Sequence, residues 1–305
     1  MNNSDPQDTL AALLASRLSD QASAFLEASY AEIAAGVSDS RFSQLIALAS
    51  RHARRTPLSS SAEERERANT ALPGWDPADW NLLESLRIAL ILARPDLKEN
   101  SFAQAFENAF QYADEGELCT FYRAIALLPE GQRFVWRAGE GCRTNMTSVF
   151  RAVACDNPYP VSYFDDIAWQ QLVMKALFVG VPLWRVYGLD QRLSDTLAVM
   201  MLDYADERTS AGRDLPPDAW LLLGQHWSAR AAQAVERALA GNNPIERCAA
   251  VLALGRAGQQ QRLLQLQTDE NDPLLLANVQ RALTDKVDAV TYQRLLTESD
   301  DYAVF

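Results

Sequence analysis

Apolar residues recur at helical spacing along nearly the whole chain, and this periodicity restricts the fold more than any other feature of the sequence. Phe102, Phe106 and Phe110, for example, follow one another at intervals of four residues and share one face of a helix. Sustained alternation of apolar and polar residues, which is typical of a half-buried strand, is nearly absent. We therefore predict an all-α fold, built as a helical bundle or an α-α superhelix-like array.

Residues that cap helices precede many of these periodic segments. Asp5 stands before Pro6, a pairing that favours a cap followed by proline in the first helical turn. The spacing of Ser61 and Glu64, like that of Ser60 and Glu63, fits a reciprocal capping box. Asp76-Pro77 predicts the start of a further helix.

The C-terminal part differs in composition from the rest, because alanine, leucine and glutamine dominate from Ala229 onward. Asn243-Pro244 and Asp272-Pro273 lie 29 residues apart, and each precedes apolar residues spaced by one helical turn. Short helices of this kind bury their apolar faces by stacking on neighbours. We predict an N-terminal helical domain, residues 1–227, and a tail of short HEAT-like helical repeats, residues 228–305.

The charge and the apolar runs limit the classes of partner. The 305 residues carry a net charge of −12, which argues against binding to nucleic acid or to an anionic membrane surface. No apolar run approaches the ~20 residues of a spanning helix, and residues 1–8 lack the basic start of a secretory signal. The cysteines are scattered and include no CxxC pair, which favours reduced thiols. We expect a soluble protein of the bacterial cytoplasm.

The segment from Arg143 to Arg213 stands apart from the regular pattern. The alternate prolines of Asn157-Pro158-Tyr159-Pro160 predict an extended turn that excludes helix. Asp165 or Asp166 then caps a helix that carries Trp169 and Lys175 and is largely apolar on both faces. Such a helix is expected to be central in the fold.

These residues form our candidate binding site. Lys175 in an apolar helix needs a carboxylate, a carbonyl or water, and Asp190 is one candidate partner. Arg143 and Asn145 stand beside a predicted helix start, where donors can hold an anion. Tyr159, Tyr163 and Trp169 can form an aromatic wall. The alternatives are a core ion pair or a solvent-reaching stem for the lysine, and ordinary capping and packing for the others.

The same segment resembles the EboA family. The resemblance covers roughly residues 10 to 227, with its most specific part at 157–178. It is carried by Pro73-Gly74-Trp75-Asp76, Leu127-Leu128-Pro129, Arg143-Thr144-Asn145-Met146, Asn157-Pro158-Tyr159-Pro160, Tyr163-Phe164-Asp165, the run from Trp169 to Phe178, Gly188-Leu189-Asp190 and the run from Leu202 to Arg208.

The resemblance implies a pathway rather than a reaction. Members of the family are encoded beside a UbiA-like prenyltransferase and barrel enzymes, in gene clusters linked to secondary metabolism and to metabolite traffic. Those proteins and a small-molecule metabolite are therefore the implied partners, and Arg208, within the matching string, joins the ligand-binding candidates. The chain departs from the family pattern at Gln170, where asparagine is usual, and at Asp206, where histidine is usual.

Known catalytic signatures are missing from the sequence. His52 and His226 are the two histidines, and neither belongs to an ExxH or HExxH pattern. No phosphate-binding glycine loop, GxSxG motif or zinc spacing occurs, so we predict no metal and no cofactor. The leading hypothesis is a non-catalytic protein that binds a metabolite or partner proteins. The alternative is an unfamiliar enzyme with a pocket around Lys175, Asn145 and Asn157, in which the lysine acts as base or nucleophile.

Overall fold

A computed structural model describes residues 5–297 of the chain and confirms the all-α prediction. Helices and their connections account for the described residues, and β-structure there is limited to one isolated bridge between Pro57 and Asn81. None of the helices in this range combines the length and the apolar character needed to span a membrane.

The helices follow one another in the order α1 (Pro6–Ala15), α2 (Asp20–Ala34), α3 (Asp39–Leu48), α4 (Ala62–Ala71), α5 (Leu82–Leu92), α6 (Asn100–Ala109), α7 (Glu115–Ile125), α8 (Val135–Arg143), α9 (Thr147–Ala154), α10 (Tyr159–Tyr163), α11 (Asp166–Phe178), α12 (Asp195–Ser210), α13 (Ala229–Leu239), α14 (Pro244–Arg256), α15 (Gln260–Asp269), α16 (Pro273–Thr284) and α17 (Ala289–Thr297). Short 3₁₀ helices at Ala49–Arg51, Gly131–Phe134, Leu183–Arg185, Leu189–Gln191 and Pro217–Leu223 connect some of them.

The chain divides into two compact units, Met1–Trp169 and Gln170–Phe305. These units are defined by contacts within the chain. The predicted domain boundary between residues 227 and 228 rests on composition instead. The HEAT-like character of residues 228–305 stays a prediction.

Helix α5 forms the centre of the first unit. It contacts α1, α2, α3 and α7, and all its residues from Leu83 to Leu92 are buried. Two of these residues are charged: Glu84 is 6% exposed and Arg87 is 3% exposed. Buried charges require partners, and Glu84 pairs with Arg123 of α7 while Arg87 pairs with Glu117. The core of this unit therefore contains ion pairs between α5 and α7.

Several helix starts lie where the capping residues predicted them. The Asp5 side chain accepts from the Gln7 amide, with Pro6 in the first turn of α1. Ser61 and Glu64 form the predicted capping box of α4, whereas Ser60 lies outside it. The start predicted at Asp76-Pro77 is wrong: α5 begins at Leu82, because Asn81 and Glu84 form a stronger, reciprocal cap.

The prediction that the alternate prolines exclude helix is also wrong. Residues Tyr159–Tyr163 form the short helix α10, with Pro160 in its first turn. The first turn of a helix needs no backbone N–H donors, so proline is tolerated there. Pro158 precedes the helix and its carbonyl accepts from the Ser162 amide at 3.3 Å.

Helix α11 is capped as predicted but is not enclosed on both faces. Asp165 Oδ1 accepts from the Ala168 amide at 2.8 Å, and Trp169 is 1% exposed. On the opposite side Ile167 is 66% exposed and Phe178 72% exposed. The prediction of a central helix is therefore wrong, since apolar character alone does not oblige a side chain to be buried.

Helix α14 is the core element of the second unit. It packs against α13, α15, α16 and α17 and against the 3₁₀ helix Pro217–Leu223. Its residues from Cys248 to Leu254 are at most 1% exposed. Helices α14 and α16 both begin with the predicted pairs, since Asn243 and Asp272 cap them ahead of a proline.

Two side chains tie distant parts of the second unit to this core. Tyr292 of α17 is fully buried and donates its hydroxyl to the Ala249 carbonyl at 3.0 Å. Arg256 of α14 binds Asp190 at 2.6 Å and donates to the carbonyls of Val287 and Leu221 at 3.2 and 3.4 Å. Segments up to 66 residues apart in the sequence thus converge on one guanidinium group.

Asp218 is a buried carboxyl in the second unit. It is 8% exposed, and its Oδ2 accepts from the Leu183 amide at 2.8 Å. Burial raises the pKa of Asp218 from 3.8 to about 6, although backbone hydrogen bonds oppose the shift. Between about pH 4 and pH 6, the folded protein therefore keeps a proton on Asp218 that the unfolded chain has already released.

We expect Asp218→Asn to gain stability over the wild type as pH rises from about 4 to about 7. Over this window the raised pKa costs the wild type about 2–3 kcal/mol of unfolding free energy, fully developed above the folded pKa. Asparagine keeps an acceptor for the Leu183 amide and does not titrate. Urea unfolding at both pH values measures the difference, and Asp269→Asn, at an exposed position of α15, controls for net charge. A difference between Asp218→Asn and wild type that does not change with pH would contradict this assignment.

Candidate functional site

Asn157 and Tyr159, two of the predicted site residues, lie close together, but their side chains form hydrogen bonds with the backbone. Asn157 is 5% exposed; its amide donates to the Ala152 carbonyl at 3.0 Å and its Oδ1 accepts from the Tyr159 amide at 2.9 Å. The Tyr159 hydroxyl donates to the Gly131 carbonyl at 2.6 Å, and burial raises its pKa. These contacts hold the start of α10 in place.

Arg143 and Asn145 lie on the surface of the first unit, at the connection between α8 and α9. The Arg143 guanidinium pairs with Glu140 on its own helix. Trp169, in contrast, is buried. The five predicted residues of this unit therefore include three buried side chains and two exposed ones.

The other three predicted residues belong to the second unit. Lys175 is half-buried. Asp190 pairs with Arg256 at 2.6 Å. Arg208 donates to the Asp214 carbonyl at 2.5 Å, and its guanidinium lies over the Tyr204 ring, 5.7 Å from the centroid. That the eight residues form one binding site stays a prediction.

A cavity of about 400 Å³ lies elsewhere in the first unit, and none of the predicted site residues lines it. Helix α3 forms one wall, and α6 with the start of α7 forms the other. The lining is mainly apolar, and the cavity reaches solvent at two exposed residues of the lining, Asp39, whose side chain is 67% exposed, and Tyr112, which is 90% exposed. Its volume lies within the range of about 300–1,000 Å³ that is typical of small-molecule sites.

Phenylalanines form the inner surface of this cavity. Phe102 and Phe106 of α6 stack with ring centroids 5.5 Å apart, and Phe121 of α7 contacts Phe106 edge-on at 5.6 Å. The spacing of four residues places the α6 rings on one face. Ala105 and Ala109, on the same helix, have side chains too short to fill the space in front of α3.

Arg94 lies in the lining of the cavity and is held by an ion-pair network. Its guanidinium binds Asp96 through two hydrogen bonds, at 2.8 and 2.6 Å, and Asp39 through one at 3.2 Å. It also lies over the rings of Phe42 and Phe102, 5.0 and 5.8 Å from their centroids. Hydrogen bonds from Arg94 lower the pKa of Asp96.

Glu117 supplies a second polar group in the lining. Its Oε1 accepts from Arg87 at 2.9 Å, and Arg87 also donates to the Ile46 carbonyl at 3.0 Å. Glu117 in addition forms the capping box of α7 with Asp114. The charged side chains of the lining are thus engaged in ion pairs, while Ser40, Ser43, Asn108 and Tyr112 add uncharged polar groups to a mainly apolar surface. This arrangement is suited to binding an apolar molecule.

The sequence contains a signal for this cavity beyond the shared helix face of its phenylalanines. The stripe of Phe102, Phe106 and Phe110 identified a buried helix face correctly. The alanines between the rings were the additional signal, because small residues beside large ones leave room in front of a helix. Among residues 5–297 no group of three or more His, Cys, Asp or Glu side chains is placed to hold a metal ion.

A protein-family model matches most of the chain. The model is described as metabolite traffic protein EboA, and it matches residues 7–224. This match confirms the resemblance found in the sequence. No curated protein and no solved structure matches the chain.

Proposed function

We propose, from the premise that this chain belongs to the EboA family of metabolite traffic proteins, that it binds a small apolar metabolite in the phenylalanine-lined cavity and releases it chemically unchanged. The family supports a role in metabolite traffic, and the cavity is the observation that carries the proposal. Its mainly apolar lining, which includes aromatic rings, suits an apolar or aromatic skeleton.

The partners of such a carrier are proposed from the family resemblance. They are the enzymes encoded beside family members, including a UbiA-like prenyltransferase and barrel enzymes, which would supply or receive the metabolite. A carrier that exchanges a metabolite with partner enzymes needs a site that loads and unloads readily. The cavity meets this need, because it reaches solvent at Asp39 and Tyr112.

We expect Ala109→Trp to weaken the binding of an aromatic probe at least tenfold. The indole would occupy the space in front of α3 that the alanine leaves open. The probe is 1-naphthalenemethanol, and titration calorimetry measures its affinity for the full chain. Ser43→Trp, which fills the cavity from the opposite wall, is expected to have the same effect.

Ala28→Trp is the matched control, because it introduces the same side chain at an exposed position of α2 outside the cavity. It is expected to leave the affinity unchanged. Thermal unfolding of all three variants verifies that they remain folded. Undiminished binding by both filled variants would refute the proposed site.

A further inference from the structure

The charges around the cavity are unbalanced. Two separate ion-pair groups border it, Arg94 with Asp39 and Asp96, and Arg87 with Glu117, so that three carboxylates accompany two guanidinium groups. One net negative charge remains. The whole chain carries a net charge of −12, the same sign as this local excess.

The positively charged group of the cavity already has carboxylate partners. Arg94 is, among the described residues that line the cavity, the one with a positive charge. Its guanidinium is 8% exposed and is held by both Asp96 oxygens and by Asp39. An anionic ligand would therefore have to displace a carboxylate from Arg94 before it gained a partner.

Asp39, in contrast, is available to a ligand. Its side chain is 67% exposed at the mouth of the cavity, and its Oδ1 accepts from Arg94 at 3.2 Å. The remaining lone pairs of the carboxylate can accept from a cation that enters from solvent. The faces of nearby phenylalanine rings also attract positive charge.

We infer that the ligand of this cavity is an apolar molecule that carries an amine. Its ammonium group binds Asp39 at the mouth, and its hydrocarbon skeleton lies against Phe106 and Phe121. This inference rests on the proposed function and adds to it the charge class of the metabolite.

Three probes with the same skeleton test the inference: 1-naphthylmethylamine, 1-naphthalenemethanol and 1-naphthoate. We expect the amine to bind about two- to fivefold more tightly than the alcohol, which is the range of an exposed ion pair. The carboxylate is expected to bind most weakly. Raising the salt concentration is expected to reduce these differences, because the pair is exposed.

Two charge-removing variants locate the effect. Asp39→Asn is expected to abolish the difference between amine and alcohol while the alcohol binds as before. Glu27→Gln removes the same charge at an exposed position of α2 and is expected to preserve the difference.

The outcomes separate the inference from the proposed function. Equal affinities for the three probes, or tightest binding of the carboxylate, would overturn the inference and leave the carrier role intact. Retention of the amine preference in Asp39→Asn would likewise overturn it. If none of the probes binds the wild-type chain, the proposed function fails and the inference fails with it.

Discussion

Phe106→Ala is expected to lower the free energy of unfolding by about 3–5 kcal/mol, the usual cost of removing a buried aromatic side chain. Phe106 is 4% exposed. Its ring lies 5.4–5.6 Å from those of Phe102, Phe110, Phe121 and Phe134. Each aromatic pair adds about 0.5–1.5 kcal/mol beyond area burial, so the truncation removes both the burial and the ring contacts.

Urea unfolding measures this loss. Phe106→Leu, which keeps most of the volume, is expected to lie between wild type and Phe106→Ala. Tyr112→Ala removes a neighbouring aromatic ring that is 90% exposed and is expected to change stability by about 0.5 kcal/mol or less. A cost below about 1 kcal/mol for Phe106→Ala would mean that the ring cluster does not stabilise the first unit.

Arg87→Met is expected to destabilise the protein by about 3–5 kcal/mol, because it leaves the mostly buried Glu117 carboxylate without its partner. The side chain of Arg87 is 4% exposed and that of Glu117 is 19% exposed. The substitution also removes the donor to the Ile46 carbonyl. Methionine was chosen because it retains the long apolar stem.

The double variant Arg87→Met with Glu117→Gln distinguishes a charge effect from a packing effect. If the unpaired carboxylate causes the loss, neutralising it recovers part of the stability, and the two substitutions are not additive. Glu117→Gln alone is the remaining variant that this double-mutant cycle requires. Strict additivity in urea unfolding would contradict the ion pair as the source of the effect.

The sequence predicted the helices well because their signals are local. The cap at Asp5, the capping box of Ser61 and Glu64, and the cap at Asn243 each depend on residues within one turn. The errors arose where two local signals competed. At Asp76-Pro77 a cap was expected, but the reciprocal cap of Asn81 and Glu84 begins the helix.

The cavity was not predictable in the same way, because it depends on which helices face one another. Periodicity showed that Phe102 and Phe106 share a buried face, but it does not state what that face contacts. The distance between α3 and α6, and hence the space before Ala109, is a property of tertiary packing. Asn157 shows the opposite error: the sequence predicted a ligand-binding residue, but its side chain forms hydrogen bonds with the neighbouring backbone.

The family match ends at residue 224, inside the second unit, whose core is completed by residues that follow. Helix α14 fills that core, and Tyr292 and Arg256 join α17, Asp190 and Leu221 to it. A fragment cut at the end of the match would leave the apolar surface that α14 covers in water and Asp190 without its guanidinium. The residues after the match and the end of the matched region therefore pack in one compact unit, and we expect them to unfold together.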